Sequence, residues 1–172
     1  MAQKLTDQAP IRYLHGIITK LAILIGSLTW LPKYLPWIVK VDNVVQRLSN
    51  KNVDLLRIAG LPGITITVPG RKSGVLHSTT MLTAPDGDGW LVAGSFFGGP
   101  KTPAWVFNIR AVDSFDVSYH GVTSRMVATE LDGTDRSRAW DQLLSVWPNF
   151  TMYEERTDRV IPLFRLAPVP AA

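Results

Sequence analysis

Residues 64–97 constrain the fold more than any other stretch of the chain. They contain three runs, ITITV (64–68), VLHSTTMLTA (75–84) and WLVAGSFF (90–97), rich in β-branched and aromatic residues. Turn signals separate them, Pro69-Gly70 after the first and Asp86-Gly87-Asp88-Gly89 before the third. Apolar, β-branched runs bounded by turn dipeptides read as strands with short connections, so three antiparallel strands are predicted here. SFDVSYHGVTSRMVATEL (114–131) predicts a hairpin turning at His120-Gly121, and VIPLFRLA (160–167) predicts a last strand. Between them, PAWVFNIRA (103–111) reads as a short helix with Pro103 in its first turn. TDRSRAWDQLLSVW (134–147) reads as an amphipathic helix capped by Thr134, its charges forming a solvated face, and FTMYEERT (150–157) as a second short helix. About six strands with flanking helices define a mainly β, α+β chain, and such chains protect their strand edges by closing or half-closing into a barrel. The tail PVPAA is expected to fray.

The first 50 residues have a different character. IITKLAILIGSLTWL (17–31) is the most apolar stretch, but Lys20 interrupts it and Pro32, Lys33 and Pro36 follow. A bilayer-spanning helix needs roughly 20 uninterrupted apolar residues, so this segment is not read as one. Lys4 and Arg12 resemble the basic start of a signal peptide, yet no small-x-small cleavage site leads into a mature domain. Two readings stay open: a pair of helices packed on the domain, or an interfacial segment with Trp30, Tyr34 and Trp37 at a membrane surface and Lys33 and Lys40 near headgroups. The expected division is therefore an apolar helical segment, 1–50, and a barrel domain, 51–172. The 172 residues suit a single active site, without repeats or an interdomain linker.

Composition matters mainly for what it removes. The chain has no cysteine, which excludes disulfides, thiol nucleophiles and cysteine-ligated zinc. His15, His77 and His120 are far apart and lack ligand-spaced partners, so no metal site is expected. The net charge of +4 permits attraction to phosphates, acidic lipids or an anionic cofactor. Nucleic acid is not an expected partner, because the basic residues are scattered rather than clustered with aromatics. Whatever chemistry occurs on such a chain needs a borrowed cofactor or plain carboxyl, hydroxyl and phenol groups.

Two glycine-bearing segments carry the chemistry. Gly70-Arg71-Lys72-Ser73-Gly74, between two predicted strands, offers two cations, a hydroxyl and backbone amides to one anion such as a phosphate. The same residues also suit a solvated hairpin turn, and the pattern is neither a Walker loop nor a dinucleotide fingerprint. In Gly94-Ser95-Phe96-Phe97-Gly98-Gly99-Pro100-Lys101-Thr102-Pro103-Ala104-Trp105, glycines allow close backbone approach and Lys101 and Thr102 stand before a helix start. Phe96 or Trp105 can flank a ring, although Trp105 also suits the core. Together the segments suggest the two ends of one extended anionic ligand.

Read in order, TVPGRKSG (67–74), GSFFGGPKTPAWVFNI (94–109) and YEERTDRVIPLFRL (153–166) resemble the deazaflavin-dependent nitroreductase family. Its members are split β-barrel reductases that use coenzyme F420. The likeness covers about residues 53–168. It implies that Arg71, Lys72, Ser73 and Gly74 hold the cofactor's phosphate and tail, and that the strand bearing Ser78, Thr79 and Thr80 passes along the ring and ribityl chain. Lys101, Thr102, Pro103, Ala104 and Trp105 match the family's K-N-P-x-W segment, and Asn108 matches a recurrent Asn whose plainer role is a helix–sheet hydrogen bond. There are departures. A family Arg falls at His77, a Lys at Phe96, and an Asn at Thr102. The three tyrosines that line the substrate pocket of some members fall at Trp147, Phe150 and Tyr153, leaving one phenol.

The resemblance implies a reductase moving a hydride from reduced F420, supplied by a separate dehydrogenase, to an electron-poor acceptor such as a quinone, activated alkene or nitroaromatic. Tyr153 or Ser95 would donate a hydrogen bond or proton to the acceptor. The apolar N-terminal segment favours a lipophilic acceptor and a cytoplasmic location extending to the inner face of the membrane. The alternatives are an FMN-dependent reductase on the same barrel, or a non-catalytic, membrane-associated cofactor-binding protein. Monomer and homodimer fit equally.

Overall fold

The computed structural model describes Gly16, Lys20, residues 23–25, Ser27, Trp37, Leu56 and residues 59–170. The expected 1–50 segment, with Trp30, Tyr34, Lys33 and Lys40, lies mostly outside the described residues. Seven strands form one antiparallel sheet: β1 (Gly63–Pro69), β2 (Leu76–Leu82), β3 (Ala84–Asp86), β4 (Gly89–Ala93), β5 (Phe115–Tyr119), β6 (Val122–Glu130) and β7 (Leu163–Pro168). Their order is β2-β1-β5-β6-β7-β4-β3. The two outermost strands are joined through the single residue Thr83, so the sheet curls until its own chain links the two edges. This is the mainly β, half-closed barrel expected from the sequence.

The seventh strand comes from Thr83. VLHSTTMLTA read as one run, but Thr83 is wholly buried, and its N–H donates to the Pro62 carbonyl at 3.0 Å. Its hydroxyl donates to the Leu91 carbonyl at 2.8 Å. At that point the chain stops pairing with β1 and starts pairing with β4. The β5–β6 hairpin turns at His120-Gly121 as expected, with both residues at positive φ (49° and 82°). That geometry matches the right-handed twist of the strands it joins.

The described helices are α1 (Ala104–Ile109), α2 (Gly133–Val146) and α3 (Phe150–Glu155). Pro103 precedes α1 at the cap position, where its missing N–H has no consequence. α2 begins earlier than predicted: Asp132 is the cap residue, with extended backbone, and Thr134 lies inside the helix. The Asp132 side chain makes no capping hydrogen bond. Among the described residues no helix is long and apolar enough to cross a membrane.

The sheet has a core on each face. Ile64, Ile66 and Val68 of β1, Trp90 and Val92 of β4, and Phe164 and Leu166 of β7 pack with Trp105, Val106 and Ile109 of α1. On the other face Leu91 and Leu163 meet Trp140 and Leu143 of α2 and Phe150 and Tyr153 of α3. Residues alternate in their facing along a strand, so β4 and β7 bury both sides and need apolar residues at successive positions. Each such Leu or Phe contributes about 1.5–3 kcal/mol by leaving water. α1 is thereby fixed against β1, beside the turn that carries the basic residues.

Candidate functional site

The β1–β2 connection is a tight loop. Gly70 N–H donates to the Val75 carbonyl at 2.8 Å, and Gly74 N–H donates to the Gly70 carbonyl at 2.7 Å. Val75 N–H reaches Ser73 Oγ at 3.3 Å. A Cβ on Gly70 would lie 2.6 Å from Ser73 Oγ and 3.1 Å from the His77 ring, so glycine is what lets these side chains close over the backbone. Folding the loop's own backbone bonds inward leaves Arg71, Lys72 and Ser73 exposed. Neither Arg71 nor Lys72 forms an ion pair among the described residues. Two exposed cations without carboxylate partners make this turn attractive to an anion.

α1 completes the site. Asn108, 8% exposed, accepts a hydrogen bond on Oδ1 from the Arg71 N–H at 3.1 Å. The Arg71 guanidinium lies 5.2 Å from the centre of the Phe107 ring. Turn and helix together border an open cleft of about 470 Å³, lined by Val68, Gly70, Arg71, Lys72, Ser73, His77, Ser78, Thr79, Ala104, Trp105, Phe107 and Asn108. This volume lies in the range of small-molecule sites, about 300–1,000 Å³.

The structure brings Arg71, Lys72, Ser73, His77, Ser78, Thr79, Ala104, Trp105 and Asn108 together around the cleft and leaves the other site residues singled out in the sequence outside it. His77 and Thr79 stand opposite Val68 and Ile66 and share their face of the sheet. Ser78 and Thr80 point the other way: Ser78 Oγ is 2.9 Å from Thr67 Oγ1, and Thr80 Oγ1 is 2.9 Å from Thr65 Oγ1. Three consecutive strand residues cannot all face one ligand, and Thr80 is absent from the cleft lining, whereas Ser78, nearer the turn, still lines it. Trp105 meets both expectations, packing edge-on against Phe164 in the core and lining the cleft. Gly74, Ser95, Phe96, Lys101, Thr102 and Pro103 are not part of that lining. Phe107 and Val68 line it but were not singled out in the sequence. The basic turn gave no hint of an aromatic on the facing helix, although helical spacing from Ala104 was available.

The aromatic cluster is separate and buried. Trp147, Phe150 and Tyr153 are 9%, 4% and 2% exposed and belong to the core beneath α2 and α3. Trp147 Nε1 donates to the Tyr153 hydroxyl at 3.3 Å. Burial pushes the Tyr153 phenol above its ordinary 10.0, only partly offset by the Trp147 bond and the nearby Arg156 charge. The link to the cleft side is the 95–99 turn, where the Phe97 ring lies 5.4 Å from that of Tyr153. Gly98 (φ 77°) passes so close to α3 that a Cβ would sit 2.6 Å from the Tyr153 carbonyl. Among the described residues no cluster of His, Asp or Glu suits a metal ion.

A family model described as F420H2-dependent quinone reductase matches residues 37–168. The chain belongs to that family. F420H2-dependent quinone reductases of Mycobacterium tuberculosis are 27% identical over 141 residues, covering 78% of this chain and 93% of theirs. A solved F420-H2 dependent reductase is 28% identical with a TM-score of 0.57, over 62% of this chain and 94% of that one. Another solved chain, described as a domain-swapped dimer, is 25% identical with a TM-score of 0.59, over 74% and 96%. Membership of the quinone reductase family makes the chain an oxidoreductase with coenzyme F420 as its cofactor, as the sequence resemblance implied. The cleft fits such a group: unpaired cations at one end suit an anionic tail, and Trp105 and Thr79 provide an apolar and a hydroxyl wall for a ring.

Proposed function

We propose that this reductase passes a hydride from reduced F420 to a lipophilic, electron-poor acceptor, with a quinone first among the candidates and activated alkenes and nitroaromatics after it. The observation that carries this reading is the cation-bearing cleft between the β1–β2 turn and α1, in a chain of the quinone reductase family. When bound, the deazaflavin supplies the hydride. Arg71, Lys72 and Ser73 bind its phosphate, and Asn108 holds their loop in shape. His77, Thr79, Ala104 and Trp105 orient the ring along β2 and the start of α1. Donation toward an acceptor oxygen is assigned to Tyr153, in the buried cluster beside the 95–99 turn, or to Ser95, two residues past β4, both outside the cleft lining.

Leu24, Ile25 and Trp37 are 63%, 42% and 70% exposed, and exposed apolar side chains of this kind suit contact with lipid. We place the protein in the cytoplasm at the inner membrane face, where soluble cofactor meets lipid-dissolved quinone. Flotation with anionic vesicles tests this, and protein that stays with the soluble fraction rejects it.

The functional test is a fluorescence titration with oxidised F420 beside FMN, followed by oxidation of reduced F420 in the presence of menaquinone, an enone and a nitroaromatic. Micromolar or tighter F420 binding with turnover of the quinone supports the reading. Tight FMN binding without F420 binding overturns it.

A further inference from the structure

Arg159 lies in the connection between α3 and β7, outside the cleft, and its contacts are unusual for a partly buried cation. Its Nη2 donates to the Ser95 carbonyl at 2.7 Å and its Nε to the Gly99 carbonyl at 3.0 Å. It forms no ion pair among the described residues, and its Nη1 is buried with no hydrogen-bond partner there. Leaving a buried donor unsatisfied is unfavourable, so this arrangement is poorly suited to stability alone.

What the guanidinium does is bracket one turn. Ser95 and Gly99 stand on either side of Phe96, Phe97 and Gly98, and all three of these have positive φ (48°, 57° and 77°). Two consecutive phenylalanines in this region persist only where the surroundings over-determine the backbone. The turn has two bonds of its own, Gly98 N–H to the Ser95 carbonyl at 3.0 Å and Gly99 N–H to the Phe96 carbonyl at 2.8 Å, and the Ser95 carbonyl also accepts from Arg159. Gly94 N–H joins the same two segments through the Pro162 carbonyl at 2.8 Å. Phe97 packs on Tyr153, Phe96 is 47% exposed, and the chain runs on to Ala104 and Trp105 at the cleft.

We infer that Arg159 is a positioning residue: by clasping the Ser95 and Gly99 carbonyls it fixes the turn that joins the cleft to the Tyr153 cluster. Its effect on turnover rests on the reductase reading above, whereas its effect on the turn does not. The side chain of Arg159 bonds to the Ser95 and Gly99 carbonyls and not to the cation-bearing loop at Arg71, which keeps its hold on cofactor when the clasp is lost.

The test compares wild type with Arg159→Lys and Arg159→Met by amide hydrogen exchange and by steady-state kinetics. Arg159→Lys keeps the charge but cannot span both carbonyls, and it carries the test if Arg159→Met does not fold. The expected result is faster exchange at Gly98 and Gly99 relative to the amides of β1. Turnover is expected to fall by about tenfold or more in kcat/KM for the acceptor, because small misplacements of reacting groups are that costly, while F420 affinity changes less than about twofold. Unchanged exchange at Gly98 and Gly99 in a folded variant overturns the clasp. Faster exchange with wild-type kcat/KM overturns the positioning role. Wild-type protein that binds no F420 overturns the reductase reading instead, and the exchange measurement still decides the clasp.

Discussion

Asn108 on α1 accepts a hydrogen bond from the Arg71 backbone N–H, 3.1 Å away in the β1–β2 turn. The bond fastens the anion-attracting loop to a helix that is itself anchored in the core through Val106 and Ile109. Asn108→Ala leaves a part-buried N–H unpaired and is expected to lose about 1–3 kcal/mol of stability together with F420 affinity. Asn108→Asp keeps an acceptor for Arg71 but sets a negative charge at the cleft. It should retain more stability and still bind F420 poorly. Urea denaturation beside cofactor titration checks both variants, and wild-type affinity in Asn108→Ala would mean that the loop holds its shape alone.

Lys72→Ala should weaken F420 binding by about tenfold or more, since a charge-assisted hydrogen bond contributes about 1.5–3 kcal/mol and 1.4 kcal/mol is tenfold. The variant's affinity should also fall less steeply with added salt than that of wild type, because one exposed charge fewer is being screened. Titrations at low and high ionic strength measure this. Affinity unchanged in both Lys72→Ala and Arg71→Ala would put the anionic end of the cofactor elsewhere.

Gly70→Ala tests the shape of the loop without altering its charge. The new Cβ would lie 2.6 Å from Ser73 Oγ, so Ser73 and His77 must move out of the positions they hold beside the cleft. F420 affinity is expected to drop while the thermal transition stays close to that of wild type. A large loss of cooperative unfolding would instead assign Gly70 to folding.

Most of the fold was legible because strand alternation and turn dipeptides are local signals: the β5–β6 hairpin turns at His120-Gly121 as read. The break at Thr83 was not legible, because a threonine within a β-branched run gives no local sign that its hydroxyl will bind Leu91 across the sheet. Similarly, the basic loop was visible as a motif, but the consequence of period-two facing for Ser78, Thr79 and Thr80 needed the register with β1. Phe107 and the Arg159 contacts depend on segments far apart in sequence, which periodicity does not bring together.

Tyr153 should remain protonated throughout the working pH range. Burial raises its folded pKa above the ordinary 10.0, so the unfolded chain releases this proton first as pH increases. The stabilisation is fully present below about pH 10 and is lost as pH rises through the folded pKa. Wild type is therefore expected to lose stability more steeply above that pH than Tyr153→Phe, as followed by urea denaturation at a series of pH values. In the same variant acceptor turnover should fall with no new ionisation appearing in the pH–rate profile below pH 9. Full activity in Tyr153→Phe would remove the phenol from the chemistry and leave Ser95 as the remaining hydroxyl to test.

Two side chains near α3 grip the end of an N-terminal helical turn. Asn149 Nδ2 donates to the Ile23 carbonyl at 2.6 Å, and Arg156 Nη2 donates to the Ser27 carbonyl at 2.9 Å. The Ile23 carbonyl also accepts the Ser27 N–H at 3.1 Å, so both side chains bind the same turn. Ile23 packs against the core cluster that contains Tyr153. Arg156→Ala removes one charge-assisted bond, about 1.5–3 kcal/mol, and local opening should become roughly tenfold more frequent. Trypsin cleavage after Lys20, followed by mass spectrometry under conditions where opening is fast, reads that change directly. Faster cleavage without a matching rise at sites in the barrel locates the effect at the junction. Cleavage at the wild-type rate would mean that Ile23 packing, and not the guanidinium, keeps this segment in place.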